Sequence, residues 1–397
     1  MTILRLRRLP ASLKRLIGEY VVVDGQGALI NDSGTGTGDI WSADKIATAI
    51  AAGGGGSGDN DVVGGRLSVA GANQLDWEFY TSDQCLLNNG SGWTLVKLAS
   101  EPSLYLTGGS ATDPIGTDSA VAVDTLYDVY LKHVSATSAT LHVRPWETMT
   151  AGSSARVTTA WSNLTDYVAG DLTVGSDSNY YCASQASGPG GVGAKDPISE
   201  ASYWGNNGQL TDQPGLHRED GILVAGNTSD YIQYRYIGAF YAYNNAGTPE
   251  LKDAQLTRLT ANLYNTRCKL CSGGNSTAGT WTYATSSTWR ELNNGTNNQH
   301  LVWVTAEPIT RVPTAVAIDN KISSASYEMY TAPQINGSRQ GPWSVNGGTA
   351  RIARQGPVDC PALGIGYHTA YLEEYVTGGT GTMYGWNNNR VFLELTM

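Results

Sequence analysis

Beyond about residue 62 the apolar residues come in short bursts. Leu104-Tyr-Leu106, Tyr127–Val134, Ala139–Val143 and His300–Val304 each alternate or run apolar over a few positions, and Gly, Asn and Ser turns separate them. Bursts of that length bounded by turn residues read as β-strands. Glycine supplies 48 of 397 residues and charged residues only 15%, against about 7% and about 25% in ordinary soluble domains. No run of about 18 apolar residues is present, so no helical membrane span and no membrane insertion are expected. The chain has no heptad array and no glycine at every third position, which excludes a long coiled coil and collagen. With 22 Tyr and 11 Trp against 3 Phe, it holds too much apolar surface to stay disordered. The expected class is mainly β, built as several β-sandwich or jelly-roll-like domains whose Tyr and Trp carry polar tips suited to binding and assembly.

Charge is distributed unevenly. The net charge is −10, yet Arg5, Arg7, Arg8, Lys14 and Arg15 precede the first acid, Glu19. Setting those five of the 25 basic residues aside leaves 20 against 35 acids. An acidic body disfavours nucleic acid as a partner, because phosphate binding relies on clustered Lys and Arg. The basic tip reads as a docking arm, a targeting peptide or a solvated tail. The five cysteines, Cys85, Cys182, Cys268, Cys271 and Cys360, do not make a disulfide framework in a chain this long. Cys268 and Cys271 have metal or redox spacing, but no second pair completes a zinc site. They read as two small residues in a loop before Ser272-Gly273-Gly274, so no metal is expected.

Five segments follow. Residues 1–38 form an arm, with a short strand at Tyr20–Val23. Residues 39–60 hold a short helix and a glycine-rich linker: Ser42 is a candidate N-cap, and Ile46 and Ile50 fall four apart. So short a helix is marginal alone and must pack on something. Residues 61–155 form a β domain, 156–209 a small inserted module, and 210–397 a C-terminal β domain. Within the last, Leu256, Leu259 and Leu263 at i, i+3, i+7 predict a helix packing one face on a sheet.

Two resemblances enter here. Trp161, Tyr167-x-x-Gly170-Asp171, Tyr180-Tyr181-Cys182, Pro189 and Trp204 resemble the small chitin-binding modules appended to chitinases and phage proteins. A segment this short cannot bury a large core, so a few aromatics must supply it. The stretch Ala183–Gly191, where sugar-binding members carry exposed aromatics, has no Trp. Trp161 and Trp204 are therefore expected in the core. Of Tyr180 and Tyr181, adjacent on a strand, one must face outward and is the candidate contact.

Around the insert, the order of motifs resembles a domain that recurs in tailed-phage virion proteins. Tyr127-Asp-Val is followed by Trp146, Asp220-Gly-Ile222, Arg235-Tyr-Ile-Gly238, Leu263-Tyr-Asn-Thr-Arg267, Trp281-Thr-Tyr283, Thr288-Trp-Arg-Glu-Leu-Asn293, Gly364-Ile-Gly366 and Tyr371-Leu-Glu-Glu374. The likeness covers residues 119–155 and 210–397. Ile40–Ile46 also resembles the short helix after a virion-attachment arm. The resemblance implies a virion protein, a tail fibre or receptor-binding protein, whose arm docks on other virion proteins. It implies a trimeric, fibre-like assembly with itself, adhesion to host-surface glycan, and no cofactor. A head decoration or capsid fibre protein and a glycan-cleaving spike are the alternatives.

Catalytic signatures point elsewhere. The chain has no G-x-S-x-G elbow and no phosphate loop. Glu373 and Glu374 are neighbours on a strand and so face opposite ways, whereas glycosidase acids face each other across a sugar. No enzyme activity is expected. The candidate ligand-binding residues are Tyr180, Tyr181, Trp281, Tyr283 and Trp289.

Overall fold

The computed structural model describes residues 2–5, 20–23, 62–107, 121–275, 279–284, 287–296, 298–309, 314–324, 326–341, 343–345, 352–358, 362–384 and 389–396. It is mainly β, with several antiparallel sheets, some curled into half-barrels. A 3-10 turn at Leu292–Gly295 is the helical element among the described residues. The chain divides into two units, Met1–Val62 and Val63–Met397. In the first, Thr2–Arg5 pairs antiparallel with Tyr20–Val23. The helix expected at 39–51 and the linker to residue 60 lie outside the described residues.

The second unit is organised around one sheet. Its order runs His217–Glu219, Ile222–Val224, Tyr234–Asn245, Thr125–Ser135, Ser138–Pro145. Strands from both sides of residues 156–209 therefore share one sheet, and the boundary drawn at 210 falls between its members. Both faces are covered. Along Thr125–Ser135, Tyr127, Val129 and Leu131 enter one core with Leu67, Trp77 and Leu104. Leu126 and Tyr130 enter the other with Trp303 and Leu372. This alternation is the strand period of two. It also explains why Tyr234–Asn245 is buried over nine consecutive residues, as a strand covered on both faces must be.

The segment expected to be a helix is not one. Thr257–Arg258 pairs parallel with Val302–Trp303, and Thr260–Asn262 pairs antiparallel with Gly238–Phe240. Leu259, Ala261 and Leu263 lie two apart, so two of the three leucines also satisfy the strand period, and flanking pairing partners decided the outcome. The strap fits closely: a Cβ on Gly238 would sit 2.2 Å from the Ala261 carbonyl oxygen. Asn262 then holds the first strand of the unit, accepting from Leu67 N at 2.5 Å and donating to Leu67 O at 3.1 Å.

Residues from about 257 form a two-sheet sandwich. One sheet orders Thr257–Arg258, Leu301–Thr305, Gly366–Val376, Met329–Ile335, Ser338–Arg339; Arg290–Glu291 also pairs with Gly366–Val376. The other orders Cys268–Gly274, Arg390–Thr396, Thr314–Ile322, Gly381–Tyr384, Thr280–Tyr283. Aliphatic residues fill the space between, among them Val316, Ile318, Leu372, Val376, Val391 and Leu393. Cys268 and Cys271, expected in a loop, lie on a strand three apart; Cys268 is exposed and Cys271 buried, so they share no site.

The inserted module has three strands, Leu172–Val174, Tyr180–Ala183 and Trp204–Gly208. Its core is Tyr167, Tyr181, Ala183 and Trp204, with Trp161 and Tyr203 packed against it. A cluster of buried charge lies where the module leaves the central sheet. Asp128, fully buried, accepts from Arg156 Nε at 2.8 and 2.9 Å, Trp146 Nε1 at 3.0 Å and Tyr130 OH at 2.9 Å. Arg156 also donates to the Pro214 carbonyl at 3.1 Å and to Gln213 Oε1 at 3.0 Å. Gln213 in turn donates to the Ala306 carbonyl of the sandwich at 2.7 Å. Buried charge is tolerated only when paired and hydrogen-bonded, and here the pairing ties module, sheet and sandwich together.

Candidate binding surface

The strand Gly366–Val376 sets the geometry. His368, Ala370, Leu372, Glu374 and Val376 point into the sandwich, while Tyr367, Thr369, Tyr371, Glu373 and Tyr375 point out. Its neighbour Met329–Ile335 pairs in a register that sets Tyr330 opposite Tyr375 and Gln334 opposite Tyr371. Outward aromatic positions on two adjacent strands thus fall side by side.

A continuous strip results. The Tyr330 and Tyr375 rings meet edge to face at 5.7 Å, and Trp289 stacks on Tyr375 at 5.0 Å with 29° between planes. The Arg339 guanidinium lies 4.1 Å from the Trp289 ring centroid and donates to Glu373 at 2.7 Å. Gln334 donates to the other Glu373 oxygen at 3.3 Å. Farther along, His300 stacks on Tyr371 at 4.5 Å and meets Glu291 at 2.6 Å. Burial, with Glu373 and Glu291 close by, pushes the Tyr371 phenol up, so it stays a neutral hydroxyl at neutral pH. The strip ends at Tyr367, which packs on Tyr241 of the central sheet with ring centroids 5.1 Å apart.

Glu374 belongs to the other face. Fully buried, it accepts from Trp281 Nε1 at 3.0 Å, Arg290 Nε at 2.7 Å and the Asn293 amide at 3.1 Å. Asn293 reaches it from a turn in which Asn293 and Asn294 have φ of 54° and 52°, a conformation Asn tolerates better than most residues. Burial pushes the Glu374 carboxyl up. The two glutamates are thus separated by the sheet, and each is held by its own arginine. No group of His, Cys, Asp and Glu side chains among the described residues is placed to hold a metal ion. Flat aromatic faces beside a carboxylate, an amide and a guanidinium can stack on and hydrogen-bond a ligand.

The expected site residues divide sharply. Trp289 is half-buried on the strip, and Tyr180 is half-buried on a module strand. Trp281 and Tyr283 are buried in the sandwich core, and Tyr283 donates its hydroxyl to the Thr288 carbonyl. Two apart on one strand, they share a face, and that face is the inner one. Tyr181 is buried in the module core and donates to Asp177 at 2.8 Å. These three therefore offer no ring to a ligand. Arg5 ends a described strand, whereas Arg7, Arg8, Lys14 and Arg15 lie outside the described residues. Sequence reasoning passed over Tyr330, Tyr371, Tyr375, Arg339 and Glu373. Tyr367, Tyr371 and Tyr375, four apart and so on one face of a strand, were the available signal.

No protein-family model matches this chain, and no curated protein matches it in sequence. Similar solved structures are distant. The CBM36-1 domain of a multidomain xylanase from the hindgut metagenome of Trinervitermes trinervoides is 12% identical with a TM-score of 0.18, covering 32% of this chain and 96% of its own. The insecticidal delta-endotoxin Cry8Ea1 of Bacillus thuringiensis is 10% identical with a TM-score of 0.21, covering 84% of this chain and 51% of its own. The infectious bursal disease virus Gx strain structure is 12% identical with a TM-score of 0.19, covering 41% of this chain and 43% of its own. At these scores none of the three carries an argument about what this chain does.

Proposed function

We propose that this chain is a structural protein of a tailed-phage virion, a tail fibre or receptor-binding protein, that adheres to host-surface glycan through the outer face of its sandwich. The strip of Trp289, Tyr375, Tyr330 and Tyr371 with Arg339, Glu373 and Gln334 is the observation that carries the reading. Aromatic rings on a rigid sheet lose little freedom on binding, and the polar groups between them orient a hydroxyl-rich ligand. Glu373 is engaged by Arg339 and Gln334, and Glu374 lies behind the sheet, so the strip offers contacts and no facing acid pair. The motif order over residues 119–155 and 210–397 supports placement on a virion, and the basic tip is assigned to docking on other virion proteins. A homotrimer would display three strips, and tethering weak contacts raises avidity without new ones.

Adhesion of the purified protein to host cells tests this directly. The double variant Trp289→Ala/Tyr375→Ala is expected to lose adhesion while keeping its fold, and unchanged adhesion would remove the strip from the reading. Immunogold labelling of intact particles with antibody to residues 210–397 is expected at the tail tip or fibres. Label over the head would point to decoration instead, and unlabelled particles would end the virion assignment. Light scattering is expected to give a trimer mass, and a mass near 42.1 kDa would refute it.

A further inference from the structure

The strands on the outer face of the sandwich lie in register, and reading across them gives rows. At one end Tyr375 sits beside Tyr330 and Trp289. The next outward row holds Glu373 between Glu291 and Ala332. After it comes Tyr371, opposite Gln334 and stacked with His300. Thr369 follows, opposite Val302, and Tyr367 ends the line against Tyr241.

The face is therefore ridged. Rings rise at Tyr375 and again at Tyr371, four residues or about 13 Å apart along one strand. Between them the surface is low. Ala332 is fully buried, and the Glu373 side chain, 9% exposed, is tied down by Arg339 and Gln334. The ridges are reachable from solvent. His300 lies flat on Tyr371, with 15° between the planes, and 42% of its side chain is exposed. Arg339, against the Trp289 ring, is 36% exposed, and Glu291 is 30% exposed. One sugar ring is shorter than the gap, so it can touch one ridge only. Across the strands the face is only about 10 Å wide, two strand spacings, so the long direction is that of the strand. Charge adds a second constraint. Glu291, Glu373 and Glu328, whose carboxylate accepts from the Tyr330 hydroxyl, border the line beside the Arg339 guanidinium. Arg290 is turned inward to Glu374. An anionic chain would meet excess negative charge here.

Resting on the reading of this face as the adhesion surface, we infer that it takes an extended run of uncharged sugar units lying along Gly366–Val376 and touching both ridges at once, and not a single sugar or a chain end. Hydroxyls above the low row donate to Glu373 and Glu291 and accept from Arg339 and Gln334, while C–H faces lie on the rings at either side. Once one ridge is occupied the second contact is intramolecular, so affinity rises with chain length until both are spanned. His300 and Glu291 thereby join the binding residues.

Titration of the full chain with labelled fragments, followed by fluorescence anisotropy, tests it. The probes are surface polysaccharide extracted from the host cells used for adhesion, cut by mild acid and sized from single sugars to decamers. Fractions that span both ridges should bind at least about tenfold tighter than mono- and disaccharides, and the tight-binding material should pass an anion exchanger unretained. His300→Ala/Tyr371→Ala, with its fold checked by circular dichroism, should bind short fragments weakly and lose the gain with length; His300→Ala, at the exposed ring, decides if the double variant unfolds. Short fragments as tight as long ones, a tight-binding anionic fraction, or a gain with length that survives these variants overturns the inference and leaves the adhesion surface standing. Binding by no fraction overturns it outright, and the adhesion reading falls with it only if Trp289→Ala/Tyr375→Ala also adheres like wild type.

Discussion

In the inserted module the large aromatic side chains are inside; in the C-terminal sandwich several of them are outside. Tyr167, Tyr181 and Trp204 make up most of the module core. The sandwich fills its interior mainly with Val, Ile, Leu and Met from two sheets, which leaves Trp289, Tyr330, Tyr371 and Tyr375 half-buried on the outer face. The difference follows from size. A small module has too little interior to be filled by aliphatics alone, so its aromatics are recruited for stability. A full sandwich can spare its aromatics for a surface. An aromatic-rich stretch is thus better evidence of binding in a large β domain than in a small one.

Variants can break or sharpen this contrast. The largest effect is expected at the junction: Asp128→Ala leaves Arg156 and Arg144 buried without their carboxylate, at a cost of about 3–5 kcal/mol, read from urea unfolding. Trp204→Ala should cost about 3–5 kcal/mol as well, but locally. Hydrogen exchange should show lost protection over residues 160–208 with the sandwich unaltered, and equal loss in both would dissolve the contrast.

Next comes a pH effect confined to the sandwich. Burial holds the His368 imidazole down at about 4, from 6.5. As pH falls through 6.5 the unfolded chain takes the proton first, so stability present above 6.5 is lost as pH approaches 4, by about 3 kcal/mol at most. Glu374, pushed up by burial, acts with the opposite sign: its contribution is present at low pH and lost as pH rises. The histidine effect is therefore read as the difference between wild type and His368→Gln, and equal pH slopes in the two would refute it. The smallest stability change, within about 1 kcal/mol, is expected for Trp289→Ala, whose effect should appear in adhesion instead.

Much of the fold was legible because β-strands announce themselves through period and turns. Glu373 and Glu374 could be assigned to opposite faces from adjacency alone. Other features depended on pairing with distant segments. Nothing local told Leu256–Leu263 that Gly238–Phe240 and Val302–Trp303 would capture it as a strap. Trp281 and Tyr283 had to share a face, but which face was inner depended on a strand a hundred residues on. The buried charge cluster left one trace, an Asp between apolar residues in Leu126-Tyr-Asp-Val-Tyr130, since a charge in a buried strand needs a partner. Its partners, Arg144 and Arg156, carried no signature.

Arg156 bonds to Gln213 and to the Pro214 carbonyl, so the chain leaves the central sheet and returns to it at one place. The segment between is also held along its length: Asn207 donates to the Gly215 and Ala225 carbonyls and accepts from the Asn227 amide, and Cys182 enters the main core. An insert whose two ends lie side by side can change in length at its far loops without shifting the strand register of the sheet behind it.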